Sequence, residues 1–142
     1  MSHVRNYCEA DYEALVTLYS DGSTFGGEYD AARDSIQKIR KVTDGDPEAV
    51  LVYEQDGVLL GSISLIEDGR VAWLFRFSVK RTPTQDVVAD ALYQHAVGIL
   101  RSRGHTQVLV YSDPQNEHLN TRYHNLQMNE GGLFRCFWKE IG

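Results

Sequence analysis

The sequence predicts an α/β (α+β) fold as a single domain over residues 1–142, with a mixed central sheet of about six or seven strands flanked by about four helices. Three observations predict it. Residues 70–113 read as strand, tight loop, long helix, strand. Two aspartate-glycine pairs, Asp56-Gly57 and Asp68-Gly69, sit between apolar runs just before that unit. Two further segments with apolar residues at helical spacing precede them.

Taken in order, residues 3–7 (HVRNY) alternate enough to be a first strand, and Cys8, Glu9, Ala10 and Asp11 then have the form of a capping box with cysteine in the leading place. A helix over about residues 9–19 puts Tyr12, Leu15, Val16 and Tyr19 on one face. Residues 20–29 (SDGSTFGGEY) carry three glycines and form a connector or a wall of a site. A second helix over about residues 30–42 turns Ile36, Ile39 and Val42 inward and ends at TDGDP. The two aspartate-glycine turns then fold residues 49–75 into three antiparallel strands. The third of these, residues 70–79, is aromatic and β-branched without clean alternation, as expected of a strand covered on both faces. Val88, Ala91, Leu92, Ala96 and Ile99 give the next helix its apolar stripe, which also takes in His95, and Gly104 closes it. Residues 106–113 supply a buried strand parallel to residues 70–79, residues 114–128 a short helix, and residues 133–141 (LFRCFWKEI) a final aromatic strand after Gly131-Gly132.

Composition narrows the function. Hydrophobic residues at 42% and charged residues at 24% suit an ordinary globular domain. No apolar run is long enough to span a bilayer, and the first ten residues lack the apolar core of a signal peptide, so a cytoplasmic protein without a membrane is expected. The formal net charge of -6 argues against nucleic acid as a partner and favours a cationic small molecule. Cys8 and Cys136 read as two buried thiols, neither a disulfide framework nor a metal site. His118 and His124 do not share a helical face, so no metal is expected. The chain has no G-x-S-x-G elbow, no phosphate loop ending in Gly-Lys-Ser/Thr and no Cys-x-x-Cys pair, which removes support for hydrolase and nucleoside-triphosphatase chemistry.

The order β-α-α-β-β-β-α-β-α-β resembles the GNAT superfamily of N-acetyltransferases over essentially the whole chain. Val4-Arg5 followed by Asp11 and Leu15 is similar to that family's opening strand and helix. Asn116, Leu119, Tyr123, Leu126, Gln127 and Met128 align without gaps on its late pattern of Asn, small or apolar residue, Tyr and a Gly-Phe pair. The resemblance implies acetyl-CoA as acyl donor, its pyrophosphate held by backbone N–H groups in a loop of pattern Arg/Gln-Gly-x-Gly-x-Gly/Ala. Such a loop works because orphan N–H groups and the helix dipole attract an anion, and glycine lets the backbone come close.

Here the corresponding positions are Thr84, Gln85, Asp86, Val87, Val88 and Ala89, and only Ala89 conforms. Asp86 would set a carboxylate beside the phosphates. The same residues have a second reading, in which Thr82 to Gln85 form a capping box with Pro83 at the first helical position and the helix satisfies its own N-terminus. Lys80 and Arg81 would supply positive charge to an anion, or are solvated loop charges.

By the same resemblance Phe77, Ser78 and Val79 would hold the pantetheine arm and acetyl group. Tyr123 would be the general acid, a role open to a phenol whose ordinary pKa is about 10. Asn116 would contact the cofactor, or only cap its helix. Acceptor contacts are expected from Phe25, Glu28 and Tyr29 and from Glu67 beside the second hairpin. The strand over residues 70–79 carries no Glu, Asp or His as a base, only Arg76, which forms a core-edge ion pair or faces an anion.

The expected function is therefore acetyl transfer from acetyl-CoA to a small, cationic amine, in a cleft between the strands that end at Val79 and start at Thr106. The alternative is a GNAT-fold ligand-binding or regulatory module without catalysis. A homodimer is expected if the aromatic final strand pairs across two copies.

Overall fold

The structure, a computed structural model, describes residues 3–20 and 28–142. Strands β1 (Val4–Asn6), β2 (Val50–Gln55), β3 (Val58–Glu67) and β4 (Ala72–Val79) form an antiparallel sheet in chain order. The β2–β3 turn is the predicted one: Asp56 and Gly57 both have positive φ, 52° and 79°, as a two-residue hairpin turn that matches strand twist requires. In the β3–β4 turn the Asp68 carboxylate accepts from the N–H groups of Arg70 and Val71, at 2.9 and 3.4 Å.

Both faces of the sheet are covered, which explains its lack of clean alternation. On one face Leu51, Tyr53, Ile63, Leu65, Leu74 and Val79 meet Val88, Leu92, Ala96 and Leu100 of α4 (Gln85–Ser102) and Leu119 of α5 (Glu117–Asn125). On the other, Val50, Val52 and Leu59 meet Leu15, Leu18 and Tyr19 of α1 (Tyr12–Tyr19) and Ile39 of α3 (Ile36–Gly45). Gly61 lets α4 lie close on β3: a Cβ there would sit 2.9 Å from Leu92 Cδ1, 3.0 Å from Val88 Cγ1 and 3.1 Å from the Ser78 carbonyl.

Several elements differ from expectation. The first helix begins as a 3-10 turn over Glu9–Asp11, where the Asp11 carboxylate accepts from the Cys8 N–H and pairs with Arg5 at 2.8 Å. The second predicted helix is two, α2 (Ala31–Asp34) and α3. Ser35 is extended between them, and its hydroxyl accepts from the Lys38 N–H, because a serine competes for the backbone and prefers the cap to the helix interior. Among the described residues the sheet has four strands rather than six or seven. Residues 106–113 touch it through one parallel bridge, Trp73 to Leu109, with Leu74 N–H donating to the Leu109 carbonyl at 2.9 Å and Leu109 N–H to that of Ala72 at 3.0 Å. Residues 133–141 form no strand, since none of the described residues pairs with them, and every residue from 129 onward is exposed.

Smaller expectations fail for local reasons. His95 is exposed because the buried stripe runs through Val88, Leu92, Ala96 and Ile99 and leaves it on the flank. Cys8 and Cys136 are exposed, one in a surface turn and one in the C-terminal segment. Among the described residues no helix is long and apolar enough to cross a membrane.

Gly61→Ala is expected to lower stability by about 1–3 kcal/mol, the usual cost of overpacking, because a carbonyl is among the atoms that would have to move. Urea denaturation followed by circular dichroism measures it, and an unchanged midpoint would contradict the packing described.

Candidate functional site

The site is built where β4 stops following its neighbours. Between the pairs Ser62–Ser78 and Ser64–Phe75, β3 has one residue, Ile63, while β4 has two, Arg76 and Phe77. This is a β-bulge, with Arg76 at φ 50°, a left-handed conformation uncommon outside glycine. Bulges bend a strand and re-aim its side chains.

Past the bridge at Leu109 no further pairing joins residues 106–113 to β4. The two segments enclose a cavity of about 300 Å³ that includes Trp73, Phe75, Arg76, Phe77, Val110, Tyr111 and Tyr123 among its walls. Trp73 and Tyr111 stack at its mouth, ring centroids 4.6 Å apart. The cavity thus lies between β4 and residues 110–111, with neither Val79 nor Thr106 in its wall, and that wall is more aromatic than the predicted site residues alone.

Arg76 explains how the bulge is held. Its guanidinium Nε donates to Asp34 Oδ1 at 3.2 Å, Nη2 pairs with Oδ2, and the two side chains are 1% and 4% exposed. The same Nη2 donates to the Glu28 carbonyl at 3.1 Å, and the cation lies 5.0 Å from the Tyr19 ring centroid. Of the two sequence readings for Arg76, the ion pair is the one present.

Tyr123 is buried on α5, its ring 6.4 Å from Phe77, and burial pushes its hydroxyl pKa up to about 12 against the opposing pull of the Arg122 cation. No described residue hydrogen-bonds that hydroxyl, and it remains protonated through the physiological range. Phe77, Ser78 and Val79 are all buried at the end of β4, and Ser78 Oγ has no hydrogen-bond partner among the described residues.

The N-terminus of α4 is open. Thr84 is the N-cap residue but makes no side-chain cap; its hydroxyl instead lies 3.2 Å from that of Thr82. Gln85 N–H donates to the Thr82 carbonyl and Val88 N–H to that of Thr84, which leaves the N–H groups of Asp86 and Val87 with no described acceptor. The capping box expected at residues 82–85 is therefore not formed. Thr84, Asp86 and Val87 are exposed, Gln85 is half-buried with its buried Oε1 unpartnered, and Val88 and Ala89 are packed into the core. Lys80 and Arg81 are exposed and join no ion pair among the described residues.

Asn116 caps α5, its Oδ1 accepting from the Leu119 N–H at 3.1 Å. Glu67 is taken up by a charged cluster, with Oε2 2.7 Å from His105 Nε2 and Oε1 3.2 Å from Arg103, and these donors hold its carboxyl below the usual range. Tyr29 shares a 3.0 Å hydrogen bond with the Tyr12 hydroxyl, Glu28 is exposed, and Phe25 lies outside the described residues. Sequence reasoning missed Asp34, Trp73 and Tyr111. The aromatic residues were visible as strand formers, but only the three-dimensional splay makes them a wall.

No protein-family model and no curated sequence matches the chain. Solved structures do. The PaiA N-acetyltransferase of Thermoplasma acidophilum, in complex with coenzyme A, is 24% identical over 87% of each chain, with a TM-score of 0.70. The aminoglycoside 6'-N-acetyltransferase AAC(6')-Ig of Acinetobacter haemolyticus is 15% identical over 98% of this chain and 99% of its own, with a TM-score of 0.75. An N-acetyltransferase of Staphylococcus aureus Mu50 gives 0.72 at 16% identity over 91% and 84%. The chain has the GNAT fold of these N-acetyltransferases, and that fold holds coenzyme A in the PaiA structure.

Asp34→Ala is expected to lower stability by about 3–5 kcal/mol, because it leaves the Arg76 cation buried without its partner. Replacing both residues by leucine is expected to recover much of that loss. Urea midpoints of the three proteins decide it, and a single variant as stable as the parent would contradict the role given to the pair.

Proposed function

We propose that this chain is a divergent GNAT enzyme that transfers an acetyl group from acetyl-CoA to a small amine, cationic in keeping with the net charge of -6. The observation that supports it most directly is the α4 N-terminus that follows β4, whose Asp86 and Val87 N–H groups lack a described acceptor; an aromatic cavity with Tyr123 in its wall lies along the same strand. Those two amides and the α4 dipole suit a pyrophosphate without any glycine, because backbone N–H groups survive every substitution except proline. The residues proposed to hold the donor are Phe77, Ser78 and Val79, then Thr84 to Ala89, with Asn116 at the start of α5.

Acetyl-CoA, when bound, supplies the thioester that the amine nitrogen attacks. Tyr123 holds a proton on its hydroxyl for the departing sulfur, since burial keeps it protonated at neutral pH. The acceptor side is assigned to Phe25, Glu28 and Tyr29. Glu67 belongs to that set with both carboxylate oxygens already engaged, by Arg103 and by His105. A homodimer belongs to the same reading.

A second reading, a ligand-binding module without catalysis, is favoured by one observation: the cleft lining includes no Asp, Glu or His among the described residues. Calorimetry with coenzyme A and an acetylation assay over a panel of amines separate the two. The enzyme reading predicts binding, a loss of roughly 10²-fold or more in kcat for Tyr123→Phe with KM little changed, and tighter coenzyme binding for Asp86→Asn at low salt. Binding without turnover on any amine supports the module, and no binding at millimolar coenzyme contradicts the enzyme reading and leaves a module for another ligand.

A further inference from the structure

The cavity beside β4 is larger and more aromatic than acetyl transfer alone requires. Phe77 and Tyr123 stand together in one part of its wall, and the stacked rings of Trp73 and Tyr111 stand at its mouth. At about 3.3 Å per strand residue, the step along β4 from Trp73 to Phe77 separates these parts by on the order of 10 Å. Ile66 sits beside Trp73 across the β3–β4 ladder. Ile66 and Tyr111 are 51% and 49% exposed, and Trp73 and Phe75 are half-buried. Large apolar side chains gathered in water around one opening mark a ligand groove better than a core.

Size and charge restrict what the cavity takes. A dry apolar cavity of about 150 Å³ holds a benzene ring. At about 300 Å³ this one has room for a ring and a short alkyl arm, whereas an acetyl group alone would leave most of it empty. Its wall includes no Asp, Glu or His among the described residues, and the Arg76 cation is held by Asp34. An ammonium carried deep inside would lose water and find no carboxylate in its place. A molecule with several ammonium groups meets that cost repeatedly. A single amine avoids it by leaving its proton with the water outside, since an apolar surround favours the neutral form. The neutral nitrogen is also the one that attacks a thioester, so a wall without a carboxylate or imidazole suits it. At the mouth, the faces of Trp73 and Tyr111 attract the same amine while it is still protonated. The wall also joins the segments assigned to the acceptor: Arg76 Nη2 donates to the Glu28 carbonyl at 3.1 Å, and Ile66 adjoins Glu67.

We propose that the acceptor is an arylalkylamine, a single primary amine joined by a short alkyl arm to an aromatic ring. The ring lies against Trp73, Phe75 and Tyr111, and the nitrogen reaches toward Tyr123. Acetylation of this amine rests on the enzyme reading above, but its binding in the cavity does not.

The chain has two tryptophans, Trp73 and Trp138, so Trp138→Phe at an exposed position leaves Trp73 as the sole tryptophan reporter. With coenzyme A present, 2-phenylethylamine is expected to change Trp73 fluorescence saturably, and 1,4-diaminobutane at equal ionic strength is expected to leave it unchanged. In the parent chain with acetyl-CoA, 2-phenylethylamine is expected to exceed the diamine by roughly 10-fold or more in kcat/KM. Trp73→Ala and, separately, Tyr111→Ala are each expected to lower the value for 2-phenylethylamine by roughly 10-fold, with coenzyme A binding by calorimetry unchanged. Tyr111 is exposed, so its variant does not depend on core packing. Saturable fluorescence binding without acetylation of any amine would contradict the enzyme reading and leave the aryl site standing. A silent Trp73, a diamine turned over as well as the aryl amine, or aryl turnover indifferent to both alanine variants would overturn the aryl site and leave the enzyme reading intact. Faster transfer from butyryl-CoA than from acetyl-CoA, with no preference among amines, would give the cavity to the acyl chain and overturn the aryl site as well.

Discussion

The buried pair between Arg76 and Asp34 fixes the course of β4, and the cleft follows from that course. A strand that kept its register on β3 would present an unbroken ladder and leave no room beside it. The extra residue at Arg76 and Phe77 breaks the ladder, and the positive φ of Arg76 demands a strong local tether. Asp34 provides it from α2, and the Glu28 carbonyl adds a second hold on the same guanidinium. One ion pair therefore joins the bulge, the short helix α2 and the segment that enters it. Arginine suits the place because its planar fork engages a carboxylate with two nitrogens while its faces lie against aromatic rings.

Along β4 and the start of α4 the candidate residues fall into an apolar group and a polar group. Aromatic side chains from β4 and from residues 110–111 form the first, and a tyrosine kept protonated by burial stands within it. The second is the start of α4, which Gly61 allows to sit tightly on β3 beside Ser78. Its two amides without a described acceptor are a consequence of ordinary helix geometry. Their availability depends on Thr82 and Thr84 bonding to each other rather than capping the helix. An exposed Asp86 beside them lowers the attraction for an anion without removing the donors.

Much of the fold was legible in the sequence wherever the determinant was local. Asp56-Gly57 specified its hairpin through backbone conformation, and the stripe from Val88 to Ile99 specified α4 and its buried face. The GNAT resemblance held at the level of the fold. What failed depends on partners distant in sequence. A strand exists only with a neighbour, so residues 133–141, read as a final aromatic strand, form none because they pair with no described residue. The bulge at Arg76 follows from the pairing of β3 with β4 and from Asp34, 42 residues away, and no local pattern announces either. The capping box at residues 82–85 had the right letters, but the side chains took a different hydrogen bond. Glu67 was read as a loop carboxylate because Arg103 and His105 are remote in sequence and adjacent only after folding.

The proposed function rests most heavily on the open amides of α4 as the element that holds the donor's pyrophosphate. Amide proton–nitrogen correlation spectra recorded while coenzyme A is added test this residue by residue. The expected result is large downfield proton shifts at Asp86 and Val87, accompanied by changes at Phe77, Ser78 and Val79, while β1 and β2 stay unchanged. Saturable binding that leaves Asp86 and Val87 unmoved would contradict the account, and so would the absence of any shift at millimolar coenzyme.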